Sequence, residues 1–389
     1  MLSRTMGVPI FQEQVIKLAM VAAGFSGGEA DQLRRAMAAW KKSGEVFKFK
    51  DKLIKGMEQR GYQTEFAERI FQQICGFGEY GFPESHSASF AVLAYVSAWL
   101  KYYYPAAFYT ALLNSLPMGF YSSSQLVQDA KRHNITILPV CINQSQYLHT
   151  LVAQEPNSNI QLGLSLIKGL TKRAGKSIVD SRPEQGYKHI SQLSSLKLNL
   201  RDMELLASAN ALQSIAGNRF SARWAMMDSA SRLSLFNTEP LHESYAIGEP
   251  SDTENLLEDY ASMGLTLGQH PVALLRRAGL INKFTTAGQL SAIKHKSLVS
   301  VIGVVTGKQA PGTASGVTFV TLEDDTGNIN VVVWAGTSRA QKKPYLTAKI
   351  LRVDGILERE GQVTHVIAGR LTDLTHTLEQ LKTASREFH

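Results

Sequence analysis

The apolar pattern of this 389-residue chain changes period once, near Lys296. Before that point apolar residues recur at helical spacing, and after it they alternate. Helices first and a β unit last, in separate modules, is the architecture this pattern permits. Gln12–Ala23 sets Val15, Ile16, Ala19, Met20 and Ala23 on one helical face. Ser26 and Glu29 have capping-box spacing, in which each side chain takes the other's backbone amide. The helix behind that box is expected to bury Leu33, Met37 and Trp40. Another helix spans Phe66–Phe77, closed by glycines. Ser85 is expected to cap a long helix reaching Tyr104, where Pro105 stops it.

Beyond Lys296 the β-rich runs are Leu298–Thr306, Val317–Glu323, Ile329–Trp334, Ile350–Leu357 and Val363–Ala368. A hairpin turn is expected at 325–328. Five short strands in such a span fit a small closed barrel of the OB type, which binds oligonucleotides. Between helices and strands lies a second helical region, about Ile160–Met227, with two glycine-containing turns. One holds Lys168, Gly169 and Thr171, and the other Gly217 and Arg219. A turn that exposes backbone N–H groups before a helix suits a phosphate.

Charge narrows the function classes. Lys and Arg number 41 against 33 Asp and Glu, a net +8, with a pI near 9.3. That balance favours a polyanionic partner, nucleic acid first. Residues 31–60 hold nine basic and four acidic residues, +5, whereas 239–259 hold seven acids and no Lys or Arg. The acidic stretch, with Pro240, Pro250 and Gly248, has the composition of a solvated connector. Two cysteines, Cys75 and Cys141, make no disulfide framework or zinc motif. No signal pattern opens the chain, and its longest apolar run, Ala88–Leu100, is shorter than the ~20 residues a bilayer needs. The expected setting is a reducing cytoplasm, with no membrane partner.

Several long motifs carry a resemblance: GVPIFQEQ (7–14), ADQLRRAM (30–37), FGEYGFPESHSA (77–88) and WLKYYYP (99–105). They resemble the fingers of bacterial C-family DNA polymerase alpha subunits. LNSLPMGFY (113–121), GTASGV (312–317) and SREFH (385–389) are similar to the error-prone, damage-inducible branch. The resemblance covers essentially the whole chain. It implies a multidomain α-then-β fold: helical fingers at 1–115, a connecting segment at 116–158 and tandem helix-hairpin-helix motifs at 159–228. An acidic connector with helices at 229–295, an OB barrel at 296–376 and a tail at 377–389 complete the expected division.

The resemblance also implies roles. Arg34 and Arg35 match fingers arginines near the incoming dNTP triphosphate, since a guanidinium fork suits phosphate oxygens. Lys41, Ser85 and His86 join them as expected nucleotide-binding residues. The alternative for the arginines and Lys41 is a solvated helix flank, and for Ser85 and His86 a cap and a packed ring. Lys42, Lys168, Gly169, Thr171, Gly217 and Arg219 are expected to hold duplex DNA. Lys308, Phe319, Trp334 and Arg352 are expected to hold single-stranded template, although some barrel aromatics must be core. Leu233, Leu235 and Phe236 resemble a sliding-clamp-binding peptide, with Arg232 where glutamine is usual. The competing expectation is a helix end packed into the core.

The family places a PHP domain, a palm and a thumb before the fingers, and its palm aspartates hold two Mg2+ ions for nucleotidyl transfer. No D-x-D pair occurs in this sequence. No catalytic or metal-binding residue is therefore assigned. The chain is expected to represent the C-terminal portion of a translesion DNA polymerase, inactive alone. Its expected partners are primer–template, dNTP, clamp and other translesion proteins. The rival expectations are a non-enzymatic nucleic-acid-binding fragment and an inert remnant, the latter marked by an exposed apolar face where a palm should sit.

Overall fold

A computed structural model of the chain describes residues 2–38, 45–77, 83–119, 121–153, 158–196, 198–231, 248–311, 316–361 and 363–384. It divides into two compact units, Met1–Tyr103 and Tyr104–His389.

The first unit is helical: α1 (Gln12–Ala23), α2 (Gly27–Ala38), α3 (Lys50–Glu58), α4 (Thr64–Phe77) and α5 (Glu84–Tyr103). Helices α1 to α4 share one core through Val15, Leu18, Leu33, Leu53, Met57 and Ile74. Full burial of each such side chain contributes about 1.5–3 kcal/mol. The buried face of α1 is turned slightly from the expected one: Leu18 and Ala22 are inside, and Met20 is exposed. Gly56 lets α3 approach α1, because a Cβ there would collide with the Ala23 carbonyl. The Ser26–Glu29 box forms, with the Ser26 amide 2.9 Å from Glu29 Oε2.

Helix α5 starts at Glu84, so Ser85 lies inside its first turn and is not the cap. Glu13 of α1 takes that role. Its Oε2 accepts the Glu84 amide at 2.8 Å, and Arg4 pairs with the Glu84 carboxylate at 2.9 Å. No side chain of α5 is buried.

The second unit opens with α6 (Pro105–Asn114) and α7 (Ser123–Arg132). A small sheet follows, of β1 (Ile137–Leu138), β2 (Thr150–Val152) and β3 (Asn159–Gln161) in the order β1-β3-β2. Then come α8 (Lys172–Asp180), α9 (Leu200–Ser208), α10 (Gln213–Ala216) and α11 (Arg219–Ser231). One core spans all of these, including Tyr109, Val127, Ile142, Ile160, Ile178, Leu206 and Ala222. Two expectations change accordingly. The expected connecting segment at 116–158 contributes Val127, Ile137 and Ile142 to this core, and α6 packs with the hairpin region although the sequence division put it with the fingers.

Helices α12 (Asp252–Ser262) and α13 (Pro271–Arg277) lead to the barrel. Leu256, Val272 and Leu275 pack with Ile302 and Ile350 of the barrel wall. The barrel strands are β4 (Leu298–Gln309), β5 (Thr318–Asp324), β6 (Gly327–Val333), β7 (Ile350–Glu360) and β8 (Val363–Asp373). They close in the order β4-β5-β6-β8-β7, with β6 and β8 parallel and the other neighbours antiparallel. Inward Val301, Leu322, Val331, Val353 and Val366 fill it. Closure leaves no free sheet edge. Asp325 and Thr326 form the β5–β6 turn, where the Asp324 carboxylate accepts the Thr326 and Gly327 amides at 2.7 and 2.9 Å. Within the expected tail, Thr377–Ala384 forms α14, with Leu378 packed beside α13. Among the described residues, no helix is long and apolar enough to cross a membrane.

Candidate nucleic-acid interface

In the first unit, Asp31 holds both fingers-like arginines. Arg34 Nε reaches its Oδ1 at 2.9 Å, and Arg35 Nη2 reaches its Oδ2 at 2.8 Å. The hydrogen bond from Arg34, with both positive charges, keeps the Asp31 carboxyl below its usual range. Both guanidiniums are thus oriented along α2 while keeping N–H groups toward solvent. Lys41 and Lys42 lie outside the described residues. Ser85 and His86 are exposed at the start of α5, with the His86 ring 4.4 Å from that of Phe90. Lys52, from the basic run, pairs with Glu29 and lies 5.3 Å from the Phe25 ring centroid.

The first hairpin precedes α8. Gly169 has φ +86°, a left-handed conformation that glycine adopts without strain. Lys168 is exposed but tethered to the end of α12. Its amide donates to the Ser262 carbonyl at 2.8 Å and its Nζ to the Tyr260 carbonyl at 2.9 Å. Its charge thus sits on the C-terminal carbonyls of α12, where a cation is favourable. Thr171 caps α8 by accepting the Ala174 amide at 3.1 Å. The cations that do face solvent are Lys172, Arg173 and Lys176, all exposed and without an ion pair among the described residues. The sequence reading missed them. Three basic residues in the first two turns after a glycine turn were the available signal.

The second hairpin is built differently. Gly217 has φ +81° and open space beside it. Asn218 Oδ1 accepts the Phe220 and Ser221 amides at 2.9 Å, so the start of α11 is capped by its own chain. Arg219 is only 2% exposed, with its Nη2 2.7 Å from Asp259 Oδ1. Its expected contact with DNA is corrected here: the guanidinium faces the interior as an internal strut. Arg223 is held between Glu204 at 2.7 Å and Glu258 at 3.0 Å.

On the barrel, Phe319 is 43% and Trp334 is 54% exposed, so neither belongs to the core. They share one rim, because Thr318 pairs with Val333, the residue before Trp334. Lys308 pairs with Val320, the neighbour of Phe319 on β5, and Gln309 pairs with Phe319 itself. The Lys308 Nζ donates to the Tyr345 carbonyl at 2.5 Å, and burial lowers its pKa. Arg352 is elsewhere. It pairs across β4 with Ile302, roughly 20 Å along the strand from Lys308. Its Nε is 3.2 Å from Asp354 Oδ1. The four barrel residues are therefore not brought together: Arg352 lies apart from the other three. Leu233, Leu235 and Phe236 lie outside the described residues.

Three family models match the chain in order. They are "Bacterial DNA polymerase III alpha subunit finger domain" at residues 1–61, "Helix-hairpin-helix motif" at 134–222 and "OB-fold nucleic acid binding domain" at 299–374. The error-prone DNA polymerase of Vibrio campbellii is 67% identical over 392 residues, covering 100% of this chain. That of Idiomarina loihiensis is 52% identical, again over 100% of this chain. Over its whole length the chain is similar to these error-prone DNA polymerases. It spans 38% of the length of each of these two relatives. In this chain the three matches follow one another in the order of its helical, hairpin and barrel parts, and the fold is helices followed by a closed five-stranded barrel. Among solved structures, asparaginyl-tRNA synthetase from Pyrococcus horikoshii is 16% identical over 24% of this chain and 23% of its own, with a TM-score of 0.22.

Proposed function

We propose that this chain is the DNA- and nucleotide-holding portion of an error-prone DNA polymerase used in translesion synthesis after damage. The observation that carries the reading is the solvent-facing cluster of Lys172, Arg173 and Lys176 behind the left-handed Gly169 turn, in the region that matches a helix-hairpin-helix motif. Such a cluster neutralises phosphates along a duplex backbone without reading sequence. The Phe319–Trp334 rim supplies two aromatic faces on which unpaired template bases stack, with Lys308 beside them. The Asp31-oriented pair Arg34 and Arg35 grips the triphosphate of an incoming dNTP. In this division the first unit does the work of fingers, the hairpins hold duplex and the barrel holds template. Its place of work is the bacterial cytoplasm, on the nucleoid.

Nucleotidyl transfer in such polymerases calls for Mg2+ held by clustered carboxylates. The residues described here do not fit that ion. No group of three His, Cys, Asp or Glu suited to a metal occurs among them. Asp324 is occupied by backbone amides, including that of Ala287 at 2.7 Å, and Asp325 pairs with Arg276 at 2.6 Å. We infer that this portion does not polymerise by itself, its sequence holding no D-x-D pair and its described residues no metal-suited cluster. A primer-extension assay with the purified chain, Mg2+ and dNTPs tests this. The expected result is bound primer–template with no added nucleotide, and template-dependent extension would overturn it. The clamp peptide at 232–236 remains part of the proposal, tested by a clamp pull-down that Leu235→Ala with Phe236→Ala abolishes.

A further inference from the structure

Charge is distributed unevenly around the barrel. Residues 326–353 contain Arg339, Lys342, Lys343, Lys349 and Arg352 and no Asp or Glu. The acids before them, Glu323, Asp324 and Asp325, stand at the far end of β5, roughly 16 Å along the strand from Phe319. Glu323 and Asp324 are buried there, and Asp325 is paired with Arg276. Arg339, Lys342 and Lys343 lie on the excursion between β6 and β7, which forms two short helices, Ala335–Ala340 and Lys342–Thr347.

That excursion is fastened to the rim bearing Phe319 and Trp334. Trp334 itself precedes the first short helix. Gln341, at the break between the two helices, is clamped to β8. Its Nε2 donates to the Gly369 carbonyl at 2.9 Å, and its Oε1 accepts the Leu371 amide at 2.7 Å. The Tyr345 hydroxyl lies 3.0 Å from Oγ1 of Thr318, the neighbour of Phe319. Lys308 Nζ donates to the Tyr345 and Leu346 carbonyls, which ties the second helix to β4. Arg339 Nε donates to the carbonyl of Ala335 at 3.1 Å, so its guanidinium is held beside the residue that follows Trp334. Arg339, Lys342 and Lys343 are exposed and make no ion pair among the described residues. Asp373, the acid that meets the excursion, accepts the Thr347 hydroxyl at 3.0 Å and the Thr375 amide at 2.9 Å.

We propose that Arg339, Lys342 and Lys343 form a phosphate rail for single-stranded DNA whose bases stack on Phe319 and Trp334, an inference that rests on the template-holding reading of the barrel. Cations without a paired acid, on a segment clamped at three points, suit a polyanionic backbone. The two exposed aromatic faces beside them take unpaired bases, whereas a duplex keeps its base faces stacked inside. Lys308 is then a positioning residue, because its ammonium holds the rail segment in place.

Anisotropy of fluorescein-labelled dT12 across a salt series, with the full 389-residue chain, tests the rail. The rail variant carries Arg339→Gln, Lys342→Gln and Lys343→Gln. The control carries Lys283→Gln, Lys294→Gln and Lys296→Gln, which removes as many exposed charges around the start of β4. All six positions are exposed, and equal urea midpoints by circular dichroism establish that both variants fold. The rail variant is expected to lower the magnitude of the log–log salt slope by about 2 and to weaken binding at least tenfold at low salt. The control is expected to change the slope by less than about 0.5. An unchanged slope in the rail variant, or an equal change in the control, overturns the proposal. So does an equal loss of affinity for a 12-base-pair duplex, which would make the segment a general DNA contact. Phe319→Ala with Trp334→Ala separates this inference from the reading beneath it. If that variant keeps full dT12 affinity while the rail variant loses it, the stacking reading fails and the rail stands. If the aromatic variant alone loses affinity, the rail fails and the template-holding barrel stands.

Discussion

Arg219 and Asp259 form a buried ion pair, Nη2 to Oδ1 at 2.7 Å, that ties the second hairpin to α12. The Thr266 hydroxyl donates to the other Asp259 oxygen at 2.7 Å. Removing one partner of such a pair leaves an uncompensated charge and costs about 3–5 kcal/mol. Arg219→Ala is therefore expected to lower the unfolding free energy of the second unit by that amount. Urea titration followed by circular dichroism measures it, and a loss below about 1 kcal/mol would refute the internal role.

On the proposed reading the four barrel residues divide into template contacts and a bystander. Phe319→Ala and Trp334→Ala are each expected to weaken oligonucleotide binding by about 1–3 kcal/mol, the range for one base–aromatic stack. Arg352→Ala, at the far end of β4, is expected to change it by less than about 0.5 kcal/mol. Anisotropy with labelled dT12 separates the two classes. Equal losses in all three variants would restore the four-residue site.

His149 gives the second unit an acid sensitivity. Its Nδ1 accepts the Gly163 amide at 3.0 Å, and burial pushes its pKa from 6.5 down to about 4. Between those values the unfolded chain binds the proton and the folded chain does not. Stability therefore falls as pH drops from 6.5 toward 4, by up to about 3 kcal/mol, and this group contributes no further loss below that. His149→Asn keeps an acceptor near Nδ1 and removes the titration. Urea midpoints at pH 7.5 and 4.5 should differ less in the variant than in the parent chain, and equal differences would exclude His149 as the source.

Helix α5 predicts association behaviour. Phe90, Leu93, Tyr95 and Tyr102 are all exposed, and an exposed apolar face of this kind drives self-association. Leu93→Gln with Tyr95→Ser is expected to raise the monomer fraction in sedimentation velocity without shifting the unfolding midpoint. An unchanged distribution would show that α5 does not mediate association. This face is also what an inert remnant would show, so retained DNA binding by the soluble variant separates the two readings.

The long elements were legible because their signals are local. The α1 periodicity, the Ser26–Glu29 box and the alternating barrel runs each lie within one window. The β1–β3–β2 sheet was not legible, because strands of two or three residues hold less than one full hydrophobic period. Side-chain direction was the other gap. Arg219 and Lys172 are both basic residues beside hairpin glycines, yet one faces Asp259, forty positions away, and the other faces solvent. Lys168 likewise faces α12, more than ninety positions on, through the Tyr260 carbonyl. No local pattern encodes such partners. Arg352 was misplaced for a related reason, since barrel register and not residue type decides which rim a side chain occupies.

The central claim is that duplex DNA is held by the first hairpin. Anisotropy of a labelled primer–template across a salt series, for the parent chain and for Lys172→Ala with Arg173→Ala and Lys176→Ala, tests it most directly. Three lost phosphate contacts should lower the magnitude of the log–log salt slope by about 2–3 and weaken binding at low salt, with the unfolding midpoint unchanged. The same slope and affinity in both proteins would contradict the account.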